Sequence, residues 1–352
     1  MKEKEEKFFQ WPLVGNPKIP ELLSQSIKNE KVAGSYIFLG PGNLGKTTLA
    51  KFFAQTLLCE NRQKGDLVLP CNQCSSCGQM RGRAGEEDDL SVLHSDFYLT
   101  RRQEGKKNIS VEQIREFIKR LQLSSFLNSY KIGVIKNAES LNLAAGNALL
   151  KTLEEPHDKV VVILIASHLE NIPSTIVSRS RVLNFYPVTR DLIYDHLVNV
   201  YGARRSQAKN IAHLSLGRPA LAVKFLQEED FYKNYLDKGE IFLRLEKQNL
   251  NERIKEVSQM LSSSSGQENV DEVLEIIGIW RGLVRDFLLL NYSHKDLLQF
   301  EALKERLEFF ERKFNPLSIL KMIAILQKGE QQVKANVNPR LVLENTACNI
   351  FN

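Results

Sequence analysis

Residues 40–47, GPGNLGKT, decide the fold class of this chain. They satisfy in full the pattern G-x-x-x-x-G-K-[ST]. Glycines at 40, 42 and 45 let backbone N–H groups turn inward around a phosphate. Lys46 extends to the β- and γ-phosphates, Thr47 supplies a hydroxyl for Mg²⁺, and the helix that follows aims its positive end at the anion. The intervening Pro41, Asn43 and Leu44 complete the loop, and Thr48 continues into the first turn. The motif needs a strand before it and a helix after it. Residues 36–39, YIFL, supply the first and residues 46–58 the second.

Working outward, a second helix is signalled over 111–123. Ser110 and Gln113 form a capping box, and Val111, Ile114, Phe117, Ile118 and Leu121 share one face. Residues 131–135 (KIGVI), 160–166 (VVVILIA) and 181–185 (RVLNF) read as strands, with a helix over 142–154 ended by Pro156. Strands alternating with helices call for a parallel sheet covered on both faces. After Pro187 the strand signals stop. Residues 188–230 read as a small helical domain and 231–352 as longer helices, with the polar break SSSSGQEN inside 261–269 and boundaries at Pro316 and Pro339. The expected organisation is an α/β phosphate-loop domain over 1–187, a helical lid and an α-helical C-terminal domain.

The chain has 352 residues, 43% hydrophobic and 26% charged, with a net charge of +6. That length calls for two or three domains. The weak basic excess suits work beside nucleic acid without requiring it. No run reaches the roughly 18–20 apolar residues of a membrane helix. The apolar stretch 276–290 is broken by Arg281, Arg285 and Asp286, and the opening MKEKEEK is charged, unlike a signal peptide. A soluble cytoplasmic protein is expected. Cys59, Cys71, Cys74 and Cys77 are spaced C-x11-C-x2-C-x2-C among turn-forming residues. Four thiolates suit a closed tetrahedral zinc site that holds structure, with no open position for chemistry. Cys348 reads as a small core residue.

Several further stretches resemble one family, the bacterial DNA polymerase III clamp-loader subunits, which are AAA+ proteins. NALLKTLEEP (147–156) is similar to a signature of that family. PSTIVSRS (173–180) resembles its Ser-Arg-Cys segment, with Ser180 in the place of the cysteine. WPLVGN (11–16) resembles an N-terminal box beside the adenine, and NVNPRLVL (336–343) the end of the collar domain. The resemblance implies an AAA+ domain followed by a helical lid and an all-α collar that holds a hetero-pentamer. It implies as partners a motor (gamma/tau) subunit, a delta subunit, the sliding clamp and primer-template DNA. The motor member hydrolyses ATP, while another member shares the motor's fold and lends it an arginine.

The choice between these two roles rests on the strand 132–139, IGVIKNAE. A motor needs an aspartate for the magnesium shell and a glutamate beside it to polarise water. Lys136 and Asn137 stand there instead. Loss of a general base alone costs about 10²–10⁴ in rate. Glu139 is near in sequence but would need a register shift to serve. The expectation is therefore a chain that holds ATP or ADP with Mg²⁺ without turning it over. Arg179, at the family's arginine position, would then serve a neighbour's site, and Arg181 is the competing candidate. Arg218 reads first as a helix-start residue and only secondarily as a phosphate sensor, and Lys151 as a solvated helix-face residue. The alternatives are a hydrolysing motor, a phosphate-loop kinase of small nucleotides, and a scaffold without ligand.

Overall fold

The computed structural model describes residues 9–62, 68–81, 94–103, 105–123, 125, 130–155, 159–261, 267–310 and 313–351. The expected helix stop at Pro156, the charged start MKEKEEK and most of the SSSSGQEN break lie outside these residues. The chain forms two compact units, Met1–Val188 and Thr189–Asn352.

The first unit is built in chain order from α1 (Lys18–Lys28), β1 (Ser35–Leu39), α2 (Lys46–Leu58), α3 (Ser75–Arg81), β2 (Phe97–Thr100), α4 (Val111–Gln122), β3 (Lys131–Lys136), α5 (Leu143–Glu154), β4 (Val160–Ala166), α6 (Ser174–Val177) and β5 (Arg181–Asn184). Its five strands pair in parallel in the order β2-β3-β4-β1-β5. β1 therefore sits between β4 and β5, so the loop leaving it opens between the ends of two neighbours. β4 is apolar throughout and the centres of β1 and β3 are buried, because both faces of the central sheet are covered. Alternate residues divide between two cores: Tyr36, Phe38, Ile132, Val134, Val161 and Ile163 on one face, and Ile37, Ile135, Val162 and Leu164 on the other.

α4 begins where its capping box stands. Gln113 N–H donates to Ser110 Oγ (3.3 Å), and Ser110 N–H donates to Gln113 Oε1 (3.0 Å). Ile114, Phe117 and Leu121 are buried from the face read in the sequence. Gly133 of β3 allows that approach, since a Cβ there would lie 2.3 Å from Phe117 Cζ. β2 and α1 have no counterpart in the sequence reading. β2 is four residues at the sheet edge, too short for a period-2 signal, and α1 lies in the stretch read only as far as residue 16.

The second unit is wholly helical among its described residues: α7 (Arg190–Tyr201), α8 (Arg205–Leu214), α9 (Pro219–Gln227), α10 (Glu229–Leu245), α11 (Leu250–Met260), α12 (Gln267–Asn291), α13 (Lys304–Glu308), α14 (Pro316–Lys334) and α15 (Pro339–Asn349). Pro316 and Pro339 open α14 and α15, where a missing N–H costs nothing. Asp286 on α12 is fully buried and accepts from the N–H groups of Gln299 (2.9 Å) and Phe300 (2.9 Å). Arg190 donates to the carbonyls of Asp296 and Leu297 (2.8 and 3.0 Å), tying α7 to the same segment. No helix is long and apolar enough to cross a membrane among the described residues.

Candidate functional site

β1 delivers the loop, and two glycines make it possible. Gly40 has φ +147°, and a Cβ on it would sit 2.3 Å from the carbonyl oxygen of Phe185. That oxygen belongs to the residue whose N–H donates to Leu39 O (2.7 Å), so the loop starts pressed against the end of β5. Gly45 is left-handed, at φ +87°, and caps α2. Gly42 has open space around it, so no contact requires glycine there. Asn43 takes φ 62°, a conformation asparagine tolerates.

Lys46 is 6% exposed, and Nζ donates to Gly40 O and to Pro41 O (2.6 Å). Burial pulls its pKa down to about 8, while the negative charge of Glu139 acts in the opposite sense. Thr47 is half-buried and Thr48 exposed in the first turn of α2, and Leu44 anchors the loop in the core. Trp11 lies against the same helix: its ring is 5.3 Å from that of Phe52, and Nε1 donates to Ser24 Oγ (2.8 Å).

At the end of β3, Lys136 pairs with Ile165 of β4. Asn137 then turns into the left-handed region (φ 59°) and a 3₁₀ turn follows over Ala138–Ser140. This turn brings Glu139 within electrostatic reach of Lys46 without any register shift. The sequence reading named Glu139 but asked a register shift of it, because it carried the strand through Asn137. The signals available were the asparagine, which accepts positive φ, and a glutamate just beyond it. Glu139 Oε2 is buried and makes no hydrogen bond.

Arg179 follows α6 and is exposed. It donates from NH1 to Thr175 O (3.0 Å) and Ser178 Oγ (3.3 Å), and from NH2 to Glu154 Oε1 (2.8 Å). Arg181 is exposed on β5. Ser180 joins two elements, donating to Ile176 O (2.8 Å) and meeting Ser35 Oγ at 2.7 Å. Arg218 stands at the start of α9, with Nε donating to Ser215 O (3.1 Å), and Lys151 is exposed on α5.

The four cysteines converge. The sulfurs of Cys59, Cys71, Cys74 and Cys77 all lie within 4.8 Å of one another, and Cys71 Sγ is 4.0 Å from Cys77 Sγ. Four sulfurs at about 2.3 Å from one zinc would be roughly 3.8 Å apart, so the cluster fits that ion. Cys59 closes α2, while Cys77 lies on α3, a short helix inside the knuckle. Cys77 N–H donates to Cys74 Sγ (3.4 Å) and Asn61 Nδ2 to Cys71 Sγ (3.4 Å), contacts that favour thiolates. A hydrogen bond with Cys77 draws the Cys59 thiol down to about 5, and the same contact pushes Cys77 up. His94, whose pKa burial lowers, meets Ser76 Oγ at 2.7 Å and ties the knuckle to the approach to β2.

A family described as DNA polymerase III, delta subunit, matches residues 15–189. The chain is 26% identical over 362 residues to DNA polymerase III subunit tau of Bacillus subtilis, covering 94% of this chain and 59% of that protein. It is 28% identical over 304 residues to subunit delta' of Haemophilus influenzae, with 85% of each covered. To subunit delta' of Bacillus subtilis it is 22% identical over 340 residues, with 94% of each covered. The chain thus spans less than two thirds of the length of its tau relative.

Proposed function

The chain belongs to the clamp-loader family of DNA polymerase III subunits, and from that membership we propose that it is a delta'-type subunit. In this reading it binds nucleotide without hydrolysing it and lends Arg179 to a neighbouring motor subunit. One observation carries the proposal: a chain with a complete phosphate loop has Lys136 and Asn137 at the end of β3, where the family resemblance calls for the two acids of a motor. Lys136 has the wrong sign for a magnesium shell. Asn137 cannot take a proton from water.

The loop Gly40–Thr48 holds ATP or ADP, with Thr47 toward Mg²⁺, and the four cysteines hold one structural zinc. The zinc keeps its site closed and supplies no chemistry. Residues 188–230 serve as lid and 231–352 as the collar of a hetero-pentamer with gamma/tau and delta, which loads the sliding clamp on primed DNA in the cytoplasm. The two delta' matches cover most of both chains, which supports this role. Arg179 suits a finger because it is exposed and held by one carboxylate that a phosphate can replace.

The test is steady-state ATPase of the purified chain, alone and mixed with gamma/tau and delta, for wild type and Arg179→Ala. The expected result is no turnover alone, and a mixture whose rate falls about 10³-fold or more at the served site in the variant. Turnover by the chain alone that vanishes in Lys46→Ala would overturn the non-hydrolysing role. The proximity of Glu139 to Lys46 favours that second, motor reading, since a carboxylate there could polarise water. The same assay decides between them.

A further inference from the structure

Glu139 is the polar group near the phosphate loop that the reading above leaves without a task. Its Oε2 is buried and has no hydrogen-bond partner. An ionised carboxylate oxygen removed from water without a donor is costly. Lys46, the neighbouring cation, directs Nζ to two carbonyls of its own loop, Gly40 O and Pro41 O. The backbone places it: Asn137 in the left-handed region and the turn at Ala138–Ser140 end β3, and Lys136 and Phe38 both register with Ile165, so this turn leaves the same sheet edge as the loop after β1. Its charge acts on Lys46, the first residue of α2, and Thr47 is the next. What would satisfy Oε2 is a ligand that brings both positive charge and hydrogen-bond donors. A hydrated divalent cation does so, and the phosphates of a bound nucleotide would carry one to this place.

We propose that Glu139 is the acidic partner of the nucleotide's Mg²⁺, accepting through Oε2 from a water of the metal shell. It thereby restores the negative charge that Lys136 removes from the end of β3, in a position reached from the turn instead of the strand. This rests on the loop binding nucleotide, as proposed above. Glu139 is a metal-positioning residue here, and binding, not turnover, is its readout.

The experiment is calorimetric titration of the full chain with ADP, in excess EDTA and in Mg²⁺, for wild type, Glu139→Gln and Glu139→Asp, with circular dichroism confirming that each is folded. In wild type Mg²⁺ should tighten binding. Glu139→Gln should keep or improve the metal-free affinity, because a negative charge near the phosphates is gone. It should also lose about 10-fold or more of the Mg²⁺ enhancement, the range seen when a group outside a metal's direct ligands is removed. Glu139→Asp should retain part of the enhancement. Full enhancement in Glu139→Gln overturns the inference, as does metal-free binding by wild type with no Mg²⁺ effect, and in both cases nucleotide binding itself stands. No ADP binding under either condition overturns the nucleotide reading and this inference together.

Discussion

Lys46 shows how a single charge depends on its surroundings. Burial lowers its pKa to about 8, so in the free protein it loses its proton as pH rises through that value. A phosphate dianion favours the charged form and raises the pKa again. Binding of nucleotide at about pH 8.5 should therefore take up a proton, and affinity should fall as pH rises through 8. Titrations in buffers of different ionisation enthalpy measure this directly, and zero proton uptake at pH 8.5 would contradict it. The sign for folding follows the same logic. A lysine depressed in the folded state costs stability below pH 8, and this cost fades as pH rises toward its ordinary value. Arg179 is a contrasting case. Its pair with Glu154 is more than one-third exposed on both sides, so it contributes little to folding. Glu154→Gln should change the free energy of unfolding by less than about 1 kcal/mol in urea titrations. A larger loss would mean the pair is structural.

At the scale of elements, β1, its loop and β5 form one closely fitted joint. Gly40→Ala would push a Cβ into the Phe185 carbonyl at 2.3 Å, at a φ that side chains avoid. The expected cost is about 3 kcal/mol or more, near the top of the usual range for single substitutions. Gly42→Ala, with open space around it, should cost about 1 kcal/mol or less. Equal effects in urea unfolding would refute the steric account. α12 carries a pH-sensitive element of its own. Burial raises the Asp286 carboxyl to about 6, although Gln299 and Phe300 N–H groups and the charges of Arg285 and Arg190 pull the other way. An acid raised in the folded state favours folding at low pH. That contribution is complete below about pH 4 and is lost as pH rises through 6. The stability difference between wild type and Asp286→Asn should therefore shift against wild type by about 3 kcal/mol between pH 4 and 7. A pH-independent difference would refute it.

At the scale of the whole molecule, the break at 188/189 separates two units with different architectures. Each has its own buried side chains, including Trp280, Phe242 and Phe287 in the second. A fragment of residues 189–352 should fold alone, with a helical spectrum and one cooperative thermal transition. A fragment lacking cooperative melting would show that the second unit depends on the first. The sequence by itself determined the phosphate loop, the parallel α/β class, the α4 capping box and the cysteine set, because each follows from local spacing: a period, a cap or a ligand interval. It also shows Lys136 and Asn137 after the apolar run of β3, because residue identities are read directly. Only the tertiary structure decided which distant groups meet. The four sulfurs come together across the interval from α2 to α3, and Glu154 and Arg179 meet although a strand lies between them in the chain. Glu139 comes to Lys46 because one asparagine takes a left-handed φ and converts a strand continuation into a turn. Such contacts depend on the path of the backbone through space, and the spacing of residues along the chain carries no direct record of that path.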